Sequence, residues 1–237
     1  MRVSIVVPAY NEEKRIVHTL ERLIKYLSNR HVFEILVVDD GSRDRTAAVV
    51  RRFMRRHKQV KLLSYGANRG KGYAVRHGML RARYGYVLFS DADLSTPIEE
   101  LEKLAPYIKD YDIVIGSRRM ADSSIMVKQP WYRRIPGKVF PLIVNVLLLQ
   151  GIRDTQCGFK LFRRKAARYL FSRQKLDGFS FDAEMLWLAQ RKGFSIKEVG
   201  VVWKNDLDSK LHPIKNSYTM FVEVLRVRLN HLKGLYR

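Results

Sequence analysis

The sequence predicts an α/β fold with a mainly parallel sheet flanked by helices and closed by amphipathic helical elements at the C-terminus. Three observations carry this. Short apolar runs alternate with segments of helical period through the first half of the chain. The runs are continuous rather than alternating, as strands covered on both faces require. Polar clusters follow the runs at Pro8 to Glu12, Asp39 to Ser42, Asp91 to Asp93 and Gly116 to Arg119. Strand–helix alternation implies right-handed crossovers, and ligands of such sheets bind beyond the carboxyl ends of the strands.

Each element has its own signal. "RVSIVVPAY" is a buried first strand, not a leader peptide. Ile16, Val17, Leu20, Leu23, Ile24 and Leu27 repeat at helical spacing, with Asn11 placed to cap that helix. "FEILVVDDG" is a second strand, and the helix after it turns Ala47, Val50, Phe53 and Met54 inward. "VKLLSY", a helix in "GYAVRHGMLRAR", "YVLFSDAD", a helix in "IEELEKLAPYI" and "YDIVIGSR" complete the first half. "GIRDTQCGFKLFRR" reads as a loop returning to the sheet. "SFDAEMLWLAQRKG" is a helix started by Ser180 and stopped by Gly193, and "SIKEVGVVW" is a further strand. The tail places Tyr218, Phe221, Val222, Leu225, Leu229, Leu232 and Tyr236 on one stripe, beside Arg226, Arg228 and Lys233.

The 237 residues, 46% hydrophobic, are enough for one large core. The single cysteine, Cys157, excludes an intrachain disulfide and a cysteine-based zinc site. No run reaches the ~20 apolar residues of a membrane span; Val139 to Leu149 is too short and contains Pro141 and Asn145. A formal charge of +22 calls for an anionic partner: nucleic acid, an acidic membrane surface or phosphorylated substrates. A nucleic-acid module would interleave cations with aromatic residues on a stacking face. Here the most specific clusters are acidic strand ends, so nucleic acid is the remote alternative.

Asp91 and Asp93 flank Ala92, and an extended Asp-x-Asp sends both carboxylates to one side. Two hard oxygen ligands suit Mg²⁺ or Mn²⁺, which also bind substrate phosphates. The same stretch also reads as an Asx turn before a helix capped by Ser95 or Thr96, with Pro97 at its first position. Asp39 and Asp40 before Gly41 read equally as a turn or as partners of a ribose or base. In "NRGKGYA", Asn68, Arg69 and Lys71 join two glycines. Such a loop can lay N–H groups and cations against a phosphate, though its spacing is not that of a Walker A loop.

Between residues 6 and 119 the motifs "VVPAYNE", "VVDDGSRDRT", "NRGKGYAVRHG", "DADL" and "IVIGSRR" occur in this order. This resembles the inverting family 2 glycosyltransferases, which have a GT-A (Rossmann-like) fold. "DTQCGFKLFRR", "FSFDAEMLWLA" and "VGVVWKNDLDSKL" resemble the polyprenyl-phosphate branch, its dolichyl-phosphate β-glucosyltransferases more than its mannose synthases. Trp203 and the Ser209–Lys210 spacing favour the glucosyl side.

The resemblance implies roles. Pro8, Ala9, Tyr10, Glu12, Asp39 and Asp40 hold the nucleotide, with Asn68, Arg69 and Lys71 near its phosphates. Asp91, Ala92 and Asp93 form the motif that bridges the diphosphate through Mg²⁺ or Mn²⁺. Ser95 stands where mannose synthase relatives carry Gln, which leaves a third ligand to water or phosphate. Arg118 and Lys210 are phosphate-binding cations of the catalytic machinery, and Arg133 and Arg134 meet the lipid phosphate. Asp182 contacts the sugar or orients a phosphate-binding cation; equally, it is a favourable charge in a first helical turn.

The implied reaction moves a hexose, from UDP-glucose first and GDP-mannose as the alternative, to dolichyl or polyprenyl phosphate by in-line displacement with inversion. No Q-x-x-R-W motif is present, which disfavours polymer synthesis. The expected organisation is a catalytic domain over 1–212, with a nucleotide-sugar half to 120 and an acceptor half from 121. Within it, 131–150 is a membrane-interface helix that begins at Trp131 and Tyr132, and 213–237 is a basic amphipathic helix. Such helices lie in the interface plane, so the expected place is peripheral, on the cytoplasmic face of a membrane. A homodimer or a membrane partner is compatible with this.

Overall fold

The computed structural model describes residues 1–126, 144, 145, 147–204 and 213–236. The elements run β1 (Arg2–Ala9), α1 (Ile16–Leu27), β2 (Val32–Asp39), α2 (Thr46–Met54), β3 (Val60–Ser64), α3 (Lys71–Met79) and β4 (Tyr86–Ser90). They continue with α4 (Leu101–Leu104), β5 (Ile113–Ser117), β6 (Ser124–Ile125), β7 (Phe159–Arg163), α5 (Arg164–Arg173), α6 (Phe181–Lys192), β8 (Ile196–Gly200), β9 (Val202–Trp203) and α7 (Pro213–Leu232). The main sheet has the order β3-β2-β1-β4-β7-β5-β8. All of its pairings are parallel except those of β7, which runs antiparallel between β4 and β5.

The continuous apolar runs sort by strand alternation onto two covered faces. Val6, Val38, Val87, Phe89 and Phe162 face the layer of α3, α5, α6 and α7. Ile5, Val7, Val37, Leu88 and Leu161 face α1, α2 and α4. This is the GT-A arrangement that the sequence implies. In register, Ala9 lies beside Asp39 and Asp39 beside Ser64, while Val6 lies beside Phe89. The ends of β1, β2, β3 and β4 therefore open onto one edge.

Several expectations change. "GFKLFRR" is not a loop; it forms β7 at the centre of the sheet. A lysine at a core position, Lys160, breaks the apolar pattern there, and its charge is met inside the fold. The helix α5 that follows was not expected. It buries Ala166, Ala167, Leu170 and Phe171 beneath a basic outer face. "SIKEVGVVW" divides in two: β8 joins the main sheet, and β9 pairs with β6.

Helix starts differ as well. Asn11 does not cap α1, which begins at Ile16; it takes a left-handed φ of 54° and accepts from the Arg43 N–H. Ala47, Phe53 and Met54 are half-buried while Thr46 and Val50 are buried, so α2 turns a narrower stripe inward. Neither Ser95 nor Thr96 caps a helix with its side chain; Pro97 precedes a short 3-10 turn, Ile98–Glu100. Ser180 and Gly193 do bound α6, the glycine at φ 78°. The Ser180 hydroxyl is spent on the Met220 carbonyl, and the serine's own carbonyl accepts from Ala183 and Glu184.

The core-facing side of α7 is formed by two valines outside the expected tail stripe, and of that stripe Tyr236, past the helix end, turns inward. Val224, Val227 and Tyr236 are buried, while Phe221, Leu225, Leu229 and Leu232 are exposed. Of the segment 131–150, residues 144, 145 and 147–150 are described, and Val144, Leu148 and Leu149 pack in the core layer.

Candidate active site

The site is built on the sheet edge where β1, β2 and β4 end. Ala9 accepts the Asp40 N–H at 2.9 Å. The Asn11 N–H donates to Ser42 Oγ at 2.9 Å and the Glu12 N–H to Thr46 Oγ1 at 2.7 Å, so the loops after β1 and β2 are stitched together. Pro8 and Tyr10 are half-buried beside them, and the Glu12 carboxylate pairs with Arg15. Gly41, at φ +65°, lets this pair of loops meet the next one; a Cβ there would lie 2.5 Å from Ala67 backbone.

Asp39 and Asp40 are both buried and divide the labour. Asp39 Oδ1 accepts the Ser42 N–H and shapes the turn. Asp40 accepts from Tyr65 Oη, Asn68 Nδ2 and the N–H groups of Arg69 and Gly70. Its carboxylate is thereby spent on holding the 68–70 loop. Asn68 also donates to the Asp40 carbonyl. Arg69 stays exposed, its guanidinium 3.7 Å from the centre of the Tyr73 ring. Lys71 opens α3 and reaches back into the site.

Lys71 Nζ lies 2.7 Å from Asp91 Oδ1. Burial works against the ammonium charge, but Asp91, then Asp182 and Asp93, more than offset it and raise its pKa. The Asp91 N–H donates to the Gly158 carbonyl at 3.1 Å, which continues the β4–β7 ladder by one step. Asp93 Oδ1 accepts the Ser95 N–H at 2.8 Å. Burial, then the Asp91 charge, push the Asp93 carboxyl above its ordinary value. Between Asp93 and Ser95, Leu94 sits at φ 49°, a left-handed conformation costly for a bulky side chain. Thr19 secures the turn by donating to the Ala92 carbonyl.

Two ion pairs lie behind these carboxylates. Arg118 grips Asp154 through Nε at 2.7 Å, its terminal nitrogen at 2.8 Å and its backbone N–H at 2.8 Å. Its guanidinium is 5.3 Å from the Trp203 ring centre. Burial opposes the Arg118 charge and Asp154 more than restores it. Lys160 Nζ donates to Asp182 Oδ1 at 2.6 Å and to the Cys157 carbonyl at 2.7 Å. Asp182 is therefore committed to a fully buried lysine of the sheet, a partner the sequence reading did not name. Burial pushes the Cys157 thiol up to about 11, so it stays protonated.

Asp91, Asp93, Lys71, Arg118 and Asp182 thus gather at one place, with Asp39, Asp40, Asn68 and Arg69 at the adjoining loop. Arg133, Arg134 and Lys210 lie outside the described residues. Sequence reasoning missed Asp154, Gly158 and Lys160. The signal was within "DTQCGFKLFRR": a lysine, Lys160, in the middle of the apolar run Phe159 to Phe162, with an acid, Asp154, shortly before it.

The model of the family described as Glycosyl transferase family 2 matches residues 4–171. The chain belongs to that family. Over its full length this glycosyltransferase is similar to proteins named dolichyl-phosphate beta-glucosyltransferase. The one from Dictyostelium discoideum is 36% identical, over 99% of this chain and 76% of the relative. The one from Homo sapiens is 35% identical, over 100% of this chain and 78% of the relative.

Two solved structures share the fold. Mannosyl-3-phosphoglycerate synthase from Rubrobacter xylanophilus has a TM-score of 0.70 at 22% identity, over 100% of this chain and 76% of that one. Glucosyl-3-phosphoglycerate synthase from Mycobacterium tuberculosis, in complex with Mn²⁺, uridine-diphosphate and phosphoglyceric acid, has a TM-score of 0.67 at 19% identity, over 97% and 78%.

The donor set of the family 2 glycosyltransferase fits a divalent cation that is shared with a phosphate. Among the described residues no three acidic, histidine or cysteine side chains are grouped to cage an ion. Asp91 and Asp93 offer two hard oxygens, burial and then the Asp91 charge raising Asp93, and a positive charge, Lys71, already stands against one of them. A cation bound by one or two carboxylates with phosphate and water as remaining ligands matches the habit of Mg²⁺.

Proposed function

We propose that the protein transfers glucose from UDP-glucose to dolichyl or another polyprenyl phosphate, with inversion, at a membrane surface. The observation that carries this reading is the Asp91–Lys71–Arg118 cluster at the sheet edge, in a chain similar over its whole length to dolichyl-phosphate beta-glucosyltransferases. Asp91 and Asp93 would hold Mg²⁺ or Mn²⁺ against the donor diphosphate, where the ion neutralises the leaving group.

The remaining work falls to this chain's own side chains. The loops at Pro8 to Glu12 and Asp39 to Ser42 frame the nucleotide. Arg69 and Lys71 meet its phosphates. Arg118, fixed on one side by Asp154, presents its other N–H groups to the acceptor phosphate. An acceptor phosphate oxygen attacks C1 of glucose, and the C1–oxygen bond to the diphosphate breaks with its electron pair leaving on UDP. The nucleophile is already anionic at neutral pH, so it requires orientation rather than a strong base. That accords with Asp182 being committed to Lys160.

The membrane part of the reading rests on α7. Among the described residues no helix is long and apolar enough to cross a membrane. Phe221, Leu225, Leu229 and Leu232 nevertheless form an exposed apolar row beside Arg226, Arg228 and Lys233. The helix borders the site: Met220 accepts from Ser180 Oγ through its carbonyl and from Gln156 Nε2 through its sulfur. Gln156 stands two residues from Asp154, the partner of Arg118, so the start of this helix lies near that cation.

The test is transfer of labelled sugar from UDP-glucose or GDP-mannose to dolichyl phosphate with Mg²⁺ or Mn²⁺. Label in the extracted lipid with UDP-glucose is the expected result. Label with GDP-mannose alone replaces the donor, and no label with either overturns the reading.

A further inference from the structure

Asp91 has one oxygen free to move into and one walled off. A Cβ on Gly158 would sit 1.8 Å from Oδ2, so that oxygen lies flat against the glycine. The Asp91 backbone is pinned to the same glycine by its N–H. The open oxygen is Oδ1, and Lys71 Nζ occupies it at 2.7 Å. Any divalent cation that uses Asp91 together with Asp93 needs that oxygen.

The other acids that act on the lysine already hold hydrogen bonds of their own. Of the other two carboxylates that act on it, Asp182 is taken by Lys160 at 2.6 Å and Asp93 accepts the Ser95 N–H at 2.8 Å. An incoming diphosphate changes this. It offers the ammonium a new anion beside the loop that also carries the exposed Arg69. Lys71 sits at the head of a flexible four-carbon stem, one residue after Gly70, so the ammonium can move while α3 stays in place.

We propose that Lys71 guards the cation site: its ammonium holds the Asp91 oxygen until a nucleotide diphosphate draws it away, so that cation and nucleotide load together. This rests on the reading of Asp91 and Asp93 as cation ligands beside the donor diphosphate. The consequence is protection. The empty protein does not gather divalent cations at an acidic pair facing solvent, and the cation site is completed only when there is a leaving group to neutralise.

Mn²⁺ titration of the full chain, followed by electron paramagnetic resonance of the free ion, tests this with and without UDP. In the native protein Mn²⁺ binds weakly alone and more tightly with UDP. In Lys71→Met the repelling ammonium is gone, so Mn²⁺ alone binds about tenfold more tightly, and UDP adds correspondingly less. Lys71→Gln gives the same pattern should the methionine variant not fold. Arg81→Gln removes an exposed cation just past the end of α3, bonded to the His77 carbonyl and away from Asp91, and leaves nucleotide-free Mn²⁺ binding unchanged.

Mn²⁺ binding to both lysine variants no tighter than to the native protein overturns the guard. So does an equal gain in Arg81→Gln, which would make the effect one of general charge. Native protein that binds no Mn²⁺ even with UDP sinks the cation reading itself, and the guard with it. None of these outcomes requires sugar transfer, so a failure of the proposed reaction is separately visible.

Discussion

Lys160 and Asp182 form a buried ion pair, Nζ to Oδ1 at 2.6 Å, with the lysine side chain fully enclosed. The lysine comes from the centre of the sheet, in register with Phe89 on one side and Ile115 on the other. The aspartate comes from the first turn of α6. Because the same ammonium holds the Cys157 carbonyl, the pair also fixes the turn whose next residue, Gly158, lies against Asp91. A charge pair in the core thereby sets the wall of the reaction site.

Removing one partner of that pair strands the other. Lys160→Met leaves Asp182 enclosed with its partner gone, which costs about 3–5 kcal/mol. Replacing both, Lys160→Met with Asp182→Leu, recovers most of that loss because no enclosed charge remains. Urea unfolding of the two single variants and the double variant measures this. A double variant as unstable as the sum of the singles would show that the residues act independently.

Arg118 and Asp154 give the protein an acid-sensitive contribution. Burial alone would raise the Asp154 carboxyl, but the Arg118 charge and hydrogen bonds hold it well below the ordinary range. A depressed folded value means that the unfolded chain takes the proton first. The stability from this pair is therefore fully present above the unfolded value of about 3.9 and is lost as pH falls from there toward the folded value. In Arg118→Met the offset disappears and burial dominates, so the folded value lies above the unfolded one and the slope inverts. Urea midpoints between about pH 3 and 7 should diverge between native and variant toward neutrality; parallel curves would refute the assignment.

The α/β class, the parallel strands and the acidic sheet edge are legible in the sequence because each follows from local chemistry. Apolar runs such as "VSIVV" report a strand covered on both faces, and Asp91 and Asp93 stand where such a run stops. What resists reading is set by partners distant in the chain. Lys160 looks like a surface residue until Asp182, 22 positions later, is brought to it. Asp40 looks like a ligand for a nucleotide until Tyr65, Asn68, Arg69 and Gly70 are seen to use its carboxylate. On α7 the sequence shows apolar residues on more than one face, and only packing decides that Val224 and Val227 go inward while Leu229 and Leu232 do not.

Gly158 tests how tightly Asp91 must be seated. Gly158→Ala places a methyl group 1.8 Å from the present position of Asp91 Oδ2, so the carboxylate has to turn. The backbone hydrogen bond from Asp91 N–H to the 158 carbonyl can survive, and the fold with it. A displacement of the order of an ångström at a reacting group costs about a hundredfold in rate. The expected result is glucose transfer reduced by that order, with little change in thermal unfolding. Unchanged transfer would mean that Asp91 has room that the geometry denies it.

The exposed row on α7 separates attachment from folding. Leu229 is 54% and Leu232 81% exposed, so a polar side chain at either position meets water that is already there. Substitutions away from packed features typically stay within about 0.5 kcal/mol, and Leu229→Glu with Leu232→Glu should unfold at nearly the native temperature. On an anionic bilayer the same change removes apolar area from the interface and sets two carboxylates among Arg226, Arg228 and Lys233, cations each worth about 1 kcal/mol near such a surface. Sedimentation with phosphatidylserine-containing vesicles should therefore fall sharply while UDP binding is kept. Val227→Glu, on the opposite face, should instead unfold the protein, since Val227 is fully buried. Native-like vesicle binding by the double glutamate variant would move the membrane contact off α7.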